Sequence, residues 1–313
     1  MTVRRQILLL VTVLAVSGGS ALAETWYVDP SGSGEAWTIE EAMEGCGQGD
    51  TVLVAQGVYS IDAPIHPPEC SADPLYILGE SGASLTIIDC SASGDGFTLG
   101  SGFYIVKGFT VRGASGAGIL IDLAFSGEIV VQNCVLKENA ACGIDVLFST
   151  STINIIRNVI HSNGKGIHTF DSSGIYIVGN TISGHLGASG AGISIVDCNP
   201  VTNIIQNNIV VDNTYMINGT AIPMLFENND IYNNVNNQNV YVGIDGNFSL
   251  DPEFCSVVPR SDGNFSLQSD SPCAPGNHPL GIQCGLVGAR MVGCSTVSTG
   301  SASWGTLKSL RGK

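Results

Sequence analysis

The chain has 313 residues, 12 lysines and arginines against 27 aspartates and glutamates, and a net charge of −15. A surface this acidic excludes nucleic acid, whose binding rests on cationic contacts to phosphate, and it repels an anionic polysaccharide unless metal ions or a local basic patch intervene. Only 12% of residues are charged while glycine numbers 40, which points to aliphatic chain buried in a regular stack with glycine at its corners.

At the start, Arg4 and Arg5 precede an apolar run from Ile7 to Val16 and the small residues Ala21-Leu22-Ala23. These are the cationic, apolar and A-x-A parts of a secretory leader. The run is too short to span a bilayer, and no other stretch is apolar enough to do so. Five segments follow: a leader at 1–23, an N-terminal cap and first strand at 24–60, a solenoid at 61–240, a C-terminal cap at 241–294, and a linker with a short basic tail at 295–313. The expected location is secreted or extracytoplasmic, and the expected state a monomer. Without Arg4 and Arg5 the exported chain holds 10 cations against 27 acids, a net charge of −17. Ten cysteines in an exported chain are expected to act as disulfide staples, with the pairing left open.

After the leader, Trp26-Tyr-Val is read as a short strand closed by Asp29-Pro30. Trp37, Ile39, Ala42 and Met43 then fall near one helical face, ended by Gly45-Cys46-Gly47. A solenoid's first rung has no neighbour, so an amphipathic helix here serves as its lid.

The ladder itself is read from Asn133, Asn158, Asn180, Asn207 and Asn229, each between aliphatic residues, with Gly57, Gly79 and Gly108 in the same frame. Successive anchors lie 22, 29, 25, 25, 22, 27 and 22 residues apart, a period that marks a solenoid. Glycine–apolar pairs at Gly96, Gly118, Gly143, Gly166 and Gly192 recur 22, 25, 23 and 26 residues apart, so each rung holds at least two short strands. Isoleucine and valine dominate, as strands prefer, and no proline lies between Pro74 and Pro200, as central strands require. The Leu-x-x-Leu-x-Leu frame and helical return of a leucine-rich repeat are missing. The expected fold is all-β: a right-handed parallel β-helix of about eight rungs, with a helical N-terminal cap and a loop-rich, disulfide-stapled C-terminal cap. Ile105, Val130, Ile155, Ile177 and Ile204 are expected to stack inward as one column, and Ile119, Ile144, Ile167 and Ile193 as another. The asparagines are expected at a left-handed bend, with their amides stacked.

Thr38-Ile-Glu-Glu-Ala42, Gly49-Asp50-Thr-Val-Leu-Val54, Gly57-Val-Tyr59, Leu78-Gly-Glu-Ser-Gly82 and Thr86-Ile-Ile-Asp89 resemble the first rungs of secreted parallel β-helix proteins with the pectin-lyase-like fold. Asp251-Pro-Glu-Phe254 and Ser271-Pro-Cys273 resemble their C-terminal cap, which Cys255, Cys273, Cys284 and Cys294 are expected to hold together. The resemblance implies polysaccharide chemistry, but the motifs of polygalacturonases (paired aspartates, Gly-His-Gly, Arg-x-Lys) and the Trp-x-Asp-His block of one pectate-lyase group are absent. A hexapeptide, Asp-Gly-Asn-Phe-Ser-Leu, begins at both Asp245 and Asp262; it lacks a full calcium-loop pattern and is read as a turn.

On such a rod, chemistry belongs to outward residues in columns. Asp145 and His168 are expected on adjacent rungs, about 4.8 Å apart by backbone, where the carboxylate orients a histidine base; Lys165 and Arg157 complete the candidate catalytic set. Lys107, Gln132, Tyr104 and Tyr176 are the candidate substrate contacts, the tyrosines by stacking on sugar. Asp122, Asp171 and Asp197 are candidate calcium ligands for a uronic-acid substrate, although Asp171 and Asp197 also read as turn formers. The functional expectation is an elongated surface for polysaccharide recognition with lyase-type cleavage, and no nucleic-acid partner; the alternative is a non-catalytic structural or adhesive surface protein.

Overall fold

The computed structural model describes residues 23–90, 94–198, 203–220, 225–236, 240–256 and 263–294. Residues 1–22 of the leader expected at 1–23 and the expected tail at 295–313 lie outside the described residues, as does Asp262, the first residue of the second hexapeptide.

Parallel pairing builds a right-handed β-helix from three sheets of nine, eight and six strands. One turn shows the path. Glu128–Gln132 lies in the first sheet, Val135–Lys137 in the second and Cys142–Leu147 in the third, and the chain re-enters the first sheet at Thr152–Ile156. The nine-stranded sheet begins at Thr25–Val28, one strand before the first glycine anchor, so the stack exceeds the eight rungs expected. Eight spacings of ~4.8 Å give a rod about 38 Å long.

The lid forms as expected. Helix Ile39–Gly45 is capped by Thr38, whose hydroxyl accepts from the Glu41 amide at 3.1 Å, while the Glu41 carboxylate accepts from the Trp37 amide at 2.8 Å. This reciprocal pairing satisfies helix-start donors, and Ile39, Ala42 and Met43 face the core.

Like residues stack inward. Ile119, Ile144, Ile167 and Ile193 are register partners in the third sheet and all have no exposed surface. The column expected in the first sheet needs correction. Ile155 and Ile177 do face in, but their partners are Val106, Val131 and Ile205. Ile105, Val130 and Ile204 pair with Asn154 and Tyr176 on the outer face. Each buried aliphatic contributes roughly 1.5–3 kcal/mol.

A one-residue shift in the anchor column explains the error, because two adjacent columns were merged. Gly108, Asn133, Arg157, Gly179, Asn207 and Asn228 adopt positive φ, between 53° and 80°, which turns the chain from the first sheet to the second. The next residue in each rung points inward, and there the buried amides of Asn158, Asn180, Asn208, Asn229 and Asn247 form a ladder. The amide oxygen of Asn180, for instance, accepts from the backbone and side chain of Asn158 at 2.8 and 3.1 Å, and the pattern repeats down to Asn247. Left-handed backbone and stacked amide are thus separate duties of neighbouring residues.

A second ladder lines the bend between the second and third sheets: Asn139, Asn163, His185, Asn213 and Asn234. His185 imitates an asparagine. Its Nδ1 lies 3.2 Å from the Asn163 backbone nitrogen and 3.1 Å from the Asn163 carbonyl, and Nε2 sits 3.2 Å from the Ile160 carbonyl. Glycine is obligatory beside this ladder. A Cβ on Gly143 would lie 2.4 Å from Ile160 Cγ2 and 3.1 Å from the Asn163 amide nitrogen, so Gly143 faces the interior.

The cysteines correct another expectation. Among the described residues one disulfide forms, Cys255–Cys294, and it staples the C-terminal segment as anticipated. Cys46, Cys70, Cys90, Cys134, Cys142, Cys198 and Cys273 are buried and outside any disulfide, and Cys284 is partly exposed and also outside one. They act as small apolar residues in a stack already closed by its ladders.

The last segment both caps and folds back. The backbone of Phe248 pairs with Asn229 and Ile231, closing the final rung. The Asp245-Gly246 step is a left-handed turn that delivers Asn247 to the ladder. Phe248, Leu267, Cys273 and Val287 then pack on Ile209 and Val211 of the second sheet. The return strap is fixed by Gly288 N–H to the Asn207 carbonyl at 2.8 Å and Ala289 N–H to the Thr181 hydroxyl at 3.0 Å. Gly288 has φ +93°, and a Cβ there would meet Ile209 at 2.5 Å.

Candidate functional site

The fold-back creates a cleft of about 580 Å³ at the bend between the first and second sheets, lined by Leu53, Leu78, Lys107, Asn133 and Arg157 on one side and Ala289, Arg290 and Met291 on the other. Its solenoid wall crosses five successive rungs, hence about 19 Å along the axis at ~4.8 Å per rung. Its volume is within the ~300–1,000 Å³ of small-molecule sites. The left-handed position that aims Arg157 outward is the same that aims Asn133. Lys107 ends the first-sheet strand Tyr104–Lys107, and the strap delivers Arg290 from 133 residues away in sequence.

The charge arrangement is unusual for this protein. The described residues contain six lysines and arginines: Lys107, Arg112, Lys137, Arg157, Lys165 and Arg290. Arg112 pairs with Asp89 at 2.9 Å and Lys137 with Glu138 at 3.3 Å. Three of the other four line this cleft, and among the described residues none of the three is in an ion pair. Arg290 is half-buried, and burial lowers the pKa of its guanidinium. Glu80 at the rim is the cleft's acid, and it accepts from the Tyr27 hydroxyl at 3.1 Å.

The third sheet carries the second constellation. Asp145 and His168 are register partners, and Asp145 Oδ1 lies 2.7 Å from His168 Nδ1. Their side chains remain 19% and 16% exposed on the outer face, between Leu120 on the preceding rung and Ser194 on the following one. Lys165 is the register partner of Cys142. The Cys142 thiol is pushed up to about 12, first by burial, then by the Asp145 charge, against a lowering by Lys165.

The four residues expected to act together in catalysis are therefore divided. Asp145, His168 and Lys165 sit on the third sheet, whereas Arg157 stands at the corner between the other two, across the core. The His161 ring, four residues beyond Arg157 in sequence, is buried against Phe265, 5.2 Å between centroids.

The expected substrate contacts also separate. Lys107 and Gln132 are register partners on the outer face, with Lys107 in the cleft. Tyr176 faces outward between Asn154 and Ile204. Tyr104 does not: it is 2% exposed, and its hydroxyl donates to the Pro68 and Ser101 carbonyls, leaving no ring face for a sugar. Its inward direction follows from the one-residue shift described above.

The expected acidic strip is not continuous. Asp171 and Asp197 occupy left-handed positions after the third sheet, in the column of Leu123 and Phe148. Asp122 belongs to the column of Leu147 and Phe170, two rungs from Asp171. Asp197 bonds the Thr220 hydroxyl at 3.1 Å. The three carboxylates do not gather into the oxygen-rich shell calcium needs.

Fold and site together define a parallel β-helix with a cationic cleft beneath a C-terminal strap. The sequence matches the family described as the right handed beta helix region over residues 46–182 and 97–251, and the chain belongs to that family. Among solved structures it is similar to pectate lyase Pel9A, at 14% identity and a TM-score of 0.34, over 87% of this chain and 97% of that one. No match was found among curated proteins. No helix among the described residues is long and apolar enough to cross a membrane.

Proposed function

We propose that this is an exported β-helix protein that recognises an anionic polysaccharide, a uronic-acid polymer by chemical class, in the cleft formed by Lys107, Arg157 and Arg290. The observation carrying this reading is the concentration of three cations, free of ion pairs among the described residues, on a chain of net charge −15. Elsewhere the surface repels a polyanion, so the cleft selects both the ligand and where it lies. A cleft running along five rungs suits an extended chain better than a compact ligand, and Gln132 beside Lys107 offers hydrogen bonds to hydroxyls. The function is recognition: the Asp145–His168 pair lies across the core from these cations and cannot act on a bond held between them.

Calorimetric titration with polygalacturonate, alginate, heparin and a neutral glucan tests this. Binding to a polyuronate that weakens with salt, with none to the neutral polymer, supports the reading. Equal binding to neutral polymer, or none to any polyanion, overturns it and favours a structural rod. Ultraviolet detection of unsaturated uronides in the same samples tests cleavage directly.

A further inference from the structure

Cys142, Asp145 and His168 place one thiol, one carboxylate and one imidazole on the outer side of two adjacent rungs, with their ligand atoms all within 4.8 Å of one another. Strict strand alternation would put Cys142 and Asp145 on opposite faces. Gly143 prevents this, because it and Ile144 both face the interior, so the chain shows Cys142 and Asp145 to the same side. Register then sets His168 beside Asp145 at 2.7 Å. Cys142 is 4% exposed, whereas the other two side chains keep one side toward solvent.

We infer that these three residues form a binding site for a borderline-soft divalent cation of the zinc class. Sulfur, nitrogen and one oxygen are the donors such ions prefer, while calcium and magnesium take oxygen alone. Ligand distances of ~2.0–2.3 Å in a tetrahedral site set donors roughly 3.3–3.6 Å apart. Closing the set therefore moves the donors by about 1 Å or less, and it widens the Asp145–His168 contact as the ion displaces the proton between them, which passes to Nε2 so that the ligand ring stays neutral. Binding releases the Cys142 thiol proton to solvent. Thiolate, carboxylate and neutral imidazole then balance two positive charges to zero, the arrangement a half-buried site favours. Three protein ligands on an outer face leave the fourth position for water, the form taken by open zinc sites. The site shares no residue with the cationic cleft, so either can fail without the other.

The full chain, stripped with chelator, is titrated with cobalt(II) as a spectroscopic probe, then with zinc(II) in competition. One equivalent of cobalt should bind with a thiolate-to-metal charge-transfer band in the near ultraviolet, and zinc, but not millimolar calcium, should abolish it. Cys142→Ser should remove the band, and His168→Gln, on the outer face where it leaves the core intact, should weaken affinity by more than about tenfold. Cys284→Ser, which removes the one partly exposed free thiol, should change neither. Absence of a stoichiometric site overturns the assignment; so does a band that survives Cys142→Ser, or an affinity unchanged by His168→Gln.

Discussion

Replacing Asn180 with alanine tests the division between left-handed and ladder positions. Asn180 has no exposed surface. Its amide oxygen accepts from Asn158 N–H at 2.8 Å and from Asn158 Nδ2 at 3.1 Å, and its own Nδ2 donates to the Ile155 carbonyl at 2.8 Å. Alanine removes these three and the Nδ2 bond to Asn208 Oδ1 at 3.1 Å, and strands the Asn158 backbone N–H in the core. A buried donor left unsatisfied costs ~1–3 kcal/mol, and each of the three further net bonds lost ~0.5–1.5 kcal/mol, so the substitution should destabilise by about 3–7 kcal/mol. Asn133→Gly is the control. Asn133 holds φ +54°, a conformation glycine adopts freely, so the expected change is within about 1 kcal/mol. Urea denaturation followed by circular dichroism measures both. Equal losses for the two variants would refute the assignment of separate duties to adjacent columns.

Other expectations follow from the same geometry. Ile177→Ala should cost ~2–5 kcal/mol, and Ile204→Ala, on the outer face, under about 1 kcal/mol; reversed denaturation midpoints would contradict the register. His185 is lowered to about 4 by burial, so it is neutral in the folded chain while the unfolded imidazole takes up a proton; stability should fall as pH drops from ~6.5 toward 4, and His185→Asn, which suits the ladder, should remove that loss. Asp230 is fully buried, accepts from Leu250 N–H and lies against the Cys273 thiol, and burial raises it to about 8. The folded carboxyl therefore keeps its proton where the unfolded one has lost it, so its contribution is complete below ~4 and declines as pH rises through 8; melting across this range should show a slope that Asp230→Asn abolishes. Reducing Cys255–Cys294, a bridge spanning 39 residues, removes about 3–4 kcal/mol of chain-entropy restraint. Because Arg290 lies four residues before Cys294, reduction should weaken polyanion binding while the solenoid's circular dichroism persists.

The solenoid and its helical lid were legible because stacking repeats a local pattern in every rung. The one-residue error had a physical origin. Both the left-handed position and the ladder position favour asparagine, so Asn133 and Asn207 of one column looked equivalent to Asn158, Asn180 and Asn229 of the next. A finer signal was present: Asn158, Asn180, Asn208 and Asn229 are each followed five residues later by Asn163, His185, Asn213 and Asn234, the members of the second ladder. That offset would have fixed the register and revealed His185 as an asparagine substitute. Asp145 over His168 was legible once the glycine–isoleucine pairs were aligned. Cys142 was not, since alternation places it on the wrong face until Gly143 is known to point inward. Arg290 was beyond reach, because only the fold-back of the strap brings it to Arg157. The cysteines misled for a different reason: an expected export would allow disulfides, but a stack closed by ladders and aliphatic columns has little need of them.

The central claim is that an anionic polymer lies in the cleft between the first bend and the returning strap. Hydrogen exchange with and without a polyuronate oligosaccharide locates it most directly. Protection should rise in the peptides holding Lys107–Asn133, Arg157 and residues 286–291, and Arg157→Glu together with Arg290→Glu should erase it. Protection confined to the third sheet around Asp145 and His168, or unchanged by the two reversals, would contradict the account.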